Sequence, residues 1–115
     1  AKDAIPVKSL LDSGAHVTLS SDWDLSTLSP FWGIQHATQR EHQSVDVKTA
    51  VEMYTINCSY VMLQEDKVGS LVAGKKADLI VIDQDIFEIA PMDIGRTKVL
   101  QTMLEGKEVY RSPKF

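Results

Sequence analysis

The clearest pattern in the chain is a run of apolar residues at helical spacing between Ser44 and Met62. These residues recur at i, i+3, i+4, i+7, i+11, i+14 and i+15, and they are Val47, Ala50, Val51, Tyr54, Cys58, Val61 and Met62. Such spacing places all of them on one face of an α-helix, and Ser44 or Asp46 can cap its N-terminus. The pattern predicts a helix over 47–62 with one buried face.

The first forty residues carry shorter helix and strand signals. Residues 6–13 have apolar positions at helical spacing, and Gly14 follows where a left-handed C-terminal cap is expected. Residues 16–20 alternate and are rich in β-formers, which predicts a strand that ends at the corner before Asp22. A second helix is expected over 30–40, because it begins with a proline, which suits a first helical turn.

From Gly69 onwards the pattern becomes that of β-structure. Residues 79–82 form a compact apolar strand signal, and residues 99–104 and 107–110 flank a Glu-Gly pair as the two strands of a hairpin. The chain therefore has a helical region with one early strand up to about residue 65, followed by a mostly β region. This order predicts an α/β or α+β fold.

Composition narrows the class of protein. The 115 residues are 43% hydrophobic and 24% charged, as expected for one small globular domain at most. The net charge of -4 and the scattered basic residues argue against nucleic-acid binding. Apolar stretches such as 79–82 are far shorter than the roughly 18 residues that a bilayer span requires. We therefore expect no nucleic-acid or membrane partner.

Two features suggest where the protein resides and how the chain arose: its single cysteine and its first residues. Cys58 alone cannot form an intrachain disulfide, which favours a reducing compartment and predicts a cytoplasmic protein. The chain begins without an initiator methionine or a secretory signal, and we therefore expect a processed or shortened product.

Asp22 is the residue best placed for chemistry. A carboxylate just past the end of an apolar strand lies where α/β folds bind their ligands. Such an oxygen can ligate a metal or take a proton from a metal-bound water. It can equally cap the turn at Ser20, Ser21 and Asp22, and the residues alone leave both readings open.

Other polar candidates show weaker signals. His16, His36 and His42 have neither of the His-x-His or His-Glu-x-x-His spacings that typify metal motifs, so solvent-facing or hydrogen-bonded histidines are the simpler interpretation. Cys58 lies on the apolar face of the predicted helix, where a small hydrophobic residue is the ordinary explanation. Residues 69–75 resemble a phosphate-binding loop, but no Ser or Thr follows the lysine, so the match fails.

Aromatic residues bracket the loop that follows the predicted strand. Trp23, Phe31 and Trp32 either line an apolar substrate pocket or pack the loop down. Arg40, at the end of the next predicted helix, either pairs with a carboxylate in the site or faces solvent. Trp23 and Arg40 are the candidate substrate-binding residues.

Four blocks of the chain, in order, resemble the amidohydrolase superfamily. Residues 14–23 are similar to its last barrel strand, with the pattern aG-x-x-v-x-x-gSDw, and residues 50–57 are similar to its eAl-x-x-yT-x-n helix. Residues 68–83 closely match GsLe-x-GK-x-ADlvvld, and residues 99–109 match V-x-x-T-x-v-x-G-x-x-V. The Ser21–Trp23 junction and the 37–40 helix end resemble the branch of N-substituted formamide deformylases and exoenzyme regulators.

The resemblance implies a (β/α)8 barrel with one or two divalent metals, zinc by expectation, that hydrolyses non-peptide carbon–nitrogen bonds in small amide-type substrates. It implies that Asp22 ligates the metal and helps to deprotonate the attacking water. It further implies that residues 1–66 hold the last barrel strand with its flanking helices. Residues 67–115 would then belong to a small composite β-sandwich in which the Gly69 and Gly74 turns are structural.

The sequence departs from the family by omission. A whole barrel needs about 250 residues, and the His-x-His, the bridging lysine and the later histidines of the family are absent here. We therefore expect the C-terminal portion of a larger enzyme, with no bound metal and no activity of its own. A barrel strand over 17–21 without neighbours exposes apolar surface, which predicts self-association, partner binding or a rearranged N-terminal region.

Two other functions remain open. The chain can be a non-catalytic module, either a standalone protein from a truncated amidohydrolase gene or an interaction domain that assembles through its unpaired β edges. It can also be half of a split enzyme whose other subunit supplies the histidines, which requires tight non-covalent assembly.

Overall fold

Helices occupy the first half of the described chain and an antiparallel sheet the second. The computed structural model describes residues 5–22 and 27–115. Its elements are α1 (Val7–Asp12), α2 (Pro30–Gln39), α3 (Val47–Tyr54), α4 (Ile56–Val61), β1 (Leu79–Ile82), a 3-10 helix (Pro91–Arg96), β2 (Val99–Leu104) and β3 (Lys107–Arg111). This confirms a mixed α/β protein with a small antiparallel sheet. Across these described residues, every helix is too short or too polar to span a bilayer.

Helix α1 ends in the glycine-terminated cap that the sequence predicts. Gly14 has a φ of 90°, which glycine adopts without steric cost. Its amide donates to the carbonyl of Leu11 at 2.9 Å, and the amide of Ala15 donates to the carbonyl of Leu10 at 3.1 Å. These two bonds form a Schellman motif. The chain therefore turns sharply out of α1 into residues 15–22, here called the Asp22 segment.

The Asp22 segment does not form the strand predicted at 16–20. Residues 15–22 have no regular secondary structure, and in the described chain the strands β1 to β3 pair with one another. A parallel barrel strand needs a neighbouring strand on each edge, and among the described residues no strand pairs with this segment. The segment lies against the helices instead, with its Leu19 side chain packed on the core.

The predicted helix over 47–62 is interrupted at Thr55. The backbone there has φ of -123° and ψ of -94°, and it separates α3 from α4. The predicted buried face is confirmed in α3, where Ala50 is fully buried. It is wrong beyond the interruption, where Val61 at the end of α4 and Met62 just after it are 58% and 59% exposed. The interruption changes the phase of the helix, so the apolar positions beyond it no longer face the core.

The sheet has the order β1-β2-β3, and all of its pairs are antiparallel. Glu105 and Gly106 connect β2 to β3 with φ values of 51° and 79°. Positive φ at both central residues is typical of the tight turns that match the twist of a hairpin. The hairpin predicted around the Glu-Gly pair is therefore confirmed. All five residues of β3 are exposed.

One hydrophobic core joins the helical half to the β half. Its buried members come from α2, from α3 and from residues around the 3-10 helix, and they are Phe31, Ile34, Ala37, Ala50, Ile86 and Ile94. Helix α2 approaches the 3-10 helix closely at Gly95, where a Cβ atom would lie 2.6 Å from Cε3 of Trp32. The amide of Gly95 also donates to Oε1 of Gln35 at 2.7 Å in a buried hydrogen bond.

We predict that Met53→Ala lowers the free energy of unfolding by about 2–5 kcal/mol, because this side chain is fully buried and its removal leaves a cavity. Met92→Ala is the matched control, because Met92 is 63% exposed and its truncation is expected to change stability by less than about 0.5 kcal/mol. Urea denaturation of both variants measures the difference. Equal losses would show that Met53 is not part of the core.

We also predict a pH-dependent contribution from the cap of α3. Asp46 accepts a hydrogen bond from the amide of Thr49 at 2.8 Å, and hydrogen bonds from the Thr49 side chain and amide hold the pKa of Asp46 below its usual value. A lowered pKa in the folded state gives stability that is present above the unfolded pKa of about 3.9. That contribution is lost as the pH falls through the folded pKa.

Asp46→Asn tests this prediction, because asparagine caps a helix without titrating. The stability advantage of the wild type over this variant should shrink as the pH falls from about 6 to below about 3 in urea titrations. An advantage that is constant across this range would contradict the assignment of the cap. Asp46→Ala removes the cap altogether and should cost about 1 kcal/mol at neutral pH.

Candidate functional site

Asp22 ends the described part of the segment that leaves α1. Its side chain is exposed, and its backbone has a φ of 51°, in the left-handed region. Aspartate is among the few residues other than glycine that adopt this conformation with some ease. The exposed carboxylate is therefore accessible to a ligand. Trp23, the neighbouring candidate, lies outside the described residues.

Three contacts attach the Asp22 segment to α3 and α4. The ring of His16 stacks on the ring of Tyr60, with centroids 3.7 Å apart and planes inclined by 16°. The side-chain amide of Asn57 donates to the carbonyl of Val17 at 3.0 Å. The amide of Leu19 donates to the carbonyl of Met53 at 3.1 Å. The segment is therefore held in place by helices rather than by neighbouring strands.

The interruption at Thr55 makes the last of these contacts possible. In an unbroken helix the carbonyl of Met53 would accept the amide of Asn57, four residues later. Here it accepts from Leu19 and also from the thiol of Cys58, whose Sγ lies 3.1 Å away. Cys58 is thus a half-buried residue with a hydrogen-bonded thiol, in keeping with a structural role.

Arg40 lies just beyond α2 and binds the chain before α1. One of its terminal guanidinium nitrogens donates to the carbonyl of Ile5 at 3.0 Å. Among the described residues Arg40 forms no ion pair with a carboxylate. The structure therefore gives Arg40 a place in joining α2 to the start of the chain, and its contact with a substrate stays a prediction.

The aromatic residues at the start of α2 serve packing. Phe31 is 5% exposed and belongs to the core cluster. Trp32 is 37% exposed and covers the backbone at Gly95. Of the two readings of these aromatic residues, the structure supports packing for both Phe31 and Trp32.

The described residues do not make a complete metal site. Within residues 5–22 and 27–115, no three His, Cys, Asp or Glu side chains come close enough to hold an ion. His16 lies on Tyr60, the rings of His36 and Trp32 are 6.2 Å apart, and Nε2 of His42 is 3.7 Å from Glu41. A catalytic zinc takes three protein ligands and a water. Asp22 can therefore supply at most one ligand of such a site.

Two residues that contact the Asp22 segment, Asn57 and Tyr60, belong to no catalytic or metal-binding motif in the sequence. Asn57 stands in the block that resembles the eAl-x-x-yT-x-n helix, and an amide at that position is the signal that identifies it. Tyr60 carries no comparable signal, since its partner His16 is 44 positions away and the stacking depends on tertiary structure.

A family profile and individual relatives of known name both match this chain. Residues 1–110 match the sequence profile of the amidohydrolase family. The N-substituted formamide deformylase of Arthrobacter pascens is 34% identical over 110 residues, which is 88% of this chain and 20% of that protein. The imidazolonepropionase of Bacteroides fragilis is 31% identical over 108 residues, which is 91% of this chain and 25% of that protein.

A solved structure shares the fold. The adenosine deaminase of Xanthomonas campestris, crystallised with bound zinc, superposes with a TM-score of 0.72 at 18% identity. The match covers 90% of this chain and 27% of that one. The chain thus spans about a fifth to a quarter of the length of the curated relatives it matches.

Proposed function

Because this chain belongs to the amidohydrolase family, we propose that it is the C-terminal part of a metal-dependent enzyme that hydrolyses non-peptide carbon–nitrogen bonds. The observation that carries the proposal is the match to the N-substituted formamide deformylase, which extends over 88% of this chain. The name of that relative describes removal of a formyl group from an amide nitrogen. The proposed substrate is accordingly a small amide-type molecule.

Asp22 is the residue to which we assign chemistry. Its carboxylate is exposed at the end of a segment that the helices hold in place. We propose that it supplies one metal ligand and accepts a proton from the attacking water. Zinc is the expected metal, in line with the zinc-containing adenosine deaminase. The other ligands would come from outside the described residues, and Trp23 and Arg40 would contact the substrate.

We further propose the division of the chain that the family resemblance implies. Residues 1–66 would complete a (β/α)8 barrel, and residues 67–115 would form part of a composite β-sandwich. The exposure of all five residues of β3 supports the second assignment, because a sandwich sheet needs a second sheet on its inner face. The single cysteine supports a cytoplasmic location.

This proposal predicts that the 115-residue chain is inactive, whereas a polypeptide extended upstream to include the family's His-x-His hydrolyses N-substituted formamides. Asp22→Asn in the extended polypeptide should lower kcat by at least about a hundredfold, because general-base catalysis contributes about that much. Release of the free amine from the formamide measures the rate. An extended polypeptide with unchanged kcat in Asp22→Asn would contradict the role of Asp22.

Metal content of the isolated chain is the control for this prediction. Zinc offered at stoichiometric concentration should be retained by neither the wild type nor Asp22→Ala, because one carboxylate does not hold a catalytic ion. Elemental analysis after gel filtration measures the retained zinc. Tight, Asp22-dependent binding would mean that this chain assembles a complete site by itself, and the proposal of a partial enzyme would be wrong.

The open sheet supports a second candidate, a non-catalytic module that self-associates. In the described chain β1 and β3 are the two edges of the sheet, and Ile80 and Val109 on them are 48% and 60% exposed. The unpaired backbone groups of an edge strand are a template for pairing with another chain, and exposed apolar side chains favour such pairing. Under this candidate the protein forms dimers or larger assemblies through β1 or β3.

The second candidate predicts concentration-dependent association that Val109→Lys reduces, because charged side chains blunt an edge strand. Val72→Lys is the matched control, since Val72 is 59% exposed in a turn that precedes the sheet. Sedimentation velocity over a range of concentrations distinguishes the variants. A wild-type chain that remains monomeric throughout would exclude this candidate.

A further inference from the structure

We infer that Asn57 is a positioning residue, which holds the Asp22 segment at the interruption between α3 and α4. The inference rests on the proposed function in that Asp22 carries the chemistry. The attachment itself is a matter of contacts among described residues. Asn57 is half-buried, and its amide reaches across 40 positions of sequence to the carbonyl of Val17 at 3.0 Å.

The Asn57 bond is one of two that act together. In an extended chain the backbone groups of residues i and i+2 point to the same side. The carbonyl of Val17 and the amide of Leu19 have this spacing, and they bond to Asn57 and Met53 respectively. One bond is donated to the segment and the other is accepted from it, as a neighbouring strand would do. The helices thus replace one edge of a sheet.

The interruption of the helix allows both hydrogen bonds to form, the one from Asn57 and the one to the Met53 carbonyl. Met53 lies in the last turn of α3, and its carbonyl is left without the helical amide it would otherwise accept. Asn57 lies in the first turn of α4, where its side chain faces the same segment. Thr55 separates them, and its own amide turns back to Glu52 at 3.1 Å. In a continuous helix the Met53 carbonyl would point along the helix to the amide of Asn57 rather than towards the segment.

The two hydrogen bonds are directional, whereas the stacking of His16 on Tyr60 is not. The stacking of His16 on Tyr60 is an exposed contact between two flat rings, which tolerates sliding. Hydrogen bonds to backbone groups fix the register, because a shift by one residue would point those groups away. Asp22 follows Leu19 by three residues, within about 10 Å of extended chain. Fixing Leu19 therefore limits where the carboxylate can lie.

The test uses the 115-residue chain and the variant Asn57→Asp. A protonated carboxyl group can donate to the Val17 carbonyl as the amide does, whereas an ionised carboxylate only accepts. We expect the exchange protection of the Leu19 amide, measured by NMR and corrected for intrinsic rates, to fall about tenfold at neutral pH. It should recover as the introduced carboxyl is protonated below about pH 4. Wild-type protection should show no such recovery.

Two controls separate positioning from a general loss of stability. Asn57→Leu removes the donor without adding charge, so the protection of Leu19 should fall at both pH values. The amide of Ile34, in the buried part of α2, reports the whole fold and should keep its protection in both variants. Equal losses at Leu19 and Ile34, a loss in Asn57→Asp that does not recover with pH, or no loss at all would each overturn the inference.

A measurement on the wild type keeps the inference testable if a variant does not fold. The side-chain amide of Asn57 should exchange slowly, and a scalar coupling across the hydrogen bond should connect the Leu19 nitrogen to the Met53 carbonyl carbon. Absence of both signals would overturn the attachment. Neither depends on catalysis, so loss of the proposed hydrolase role would leave these results unchanged, and their failure would leave the activity of an extended enzyme unaffected.

Discussion

The structure depends on the interruption of helical hydrogen bonding at Thr55. Because the helix stops there, the side chain of Met53 is buried while its carbonyl turns to the Asp22 segment. The same interruption rotates α4, so that Ser59 rather than an apolar residue faces inwards. Ser59 is small enough for the turn at Gly69 to pack against it, where any added Cβ would collide with the serine hydroxyl. The break at Thr55 thus determines how two segments pack against the helices, the Asp22 segment and the turn at Gly69.

A second constraint is the close approach of α2 to the 3-10 helix. Gly95 leaves space for the ring of Trp32, and Gln35 accepts the Gly95 amide inside the protein. A buried polar group needs such a partner, since leaving it unpaired costs about 1–3 kcal/mol. Through this contact the helical half and the sheet share one core. All five residues of β3 remain exposed.

The candidate site rests on one carboxylate among the described residues. Asp22 is exposed, and within residues 5–22 and 27–115 no three His, Cys, Asp or Glu side chains come together as a metal site. The proposed role of this carboxylate therefore rests on membership of the amidohydrolase family and not on the side chains around it. The chain covers 20% of the deformylase it resembles, and under the proposed function the other metal ligands would come from outside the described residues.

Elements with local causes were predictable from the sequence. Gly14 ends α1, Pro30 starts α2, Asp46 caps α3, and the Glu-Gly pair closes the β2–β3 hairpin, because caps and turns are decided by a few neighbouring residues. Family membership was also readable, since ordered motif blocks span most of the chain. Asp22 was identified as a candidate because it follows an apolar strand pattern and stands in one of these blocks, although the described structure does not form that strand.

Tertiary structure decided what depends on distant partners. Residues 16–20 have the composition of a strand, but strand formation requires a neighbouring edge, and the helices provide Asn57 and the Met53 carbonyl instead. The helix break was hidden because the apolar spacing continues through Thr55. Sequence by itself thus determined the local turns, caps and family of this protein. Only the tertiary structure decided which backbone groups meet, because hydrogen bonds between distant residues depend on the packed chain rather than on neighbouring side chains.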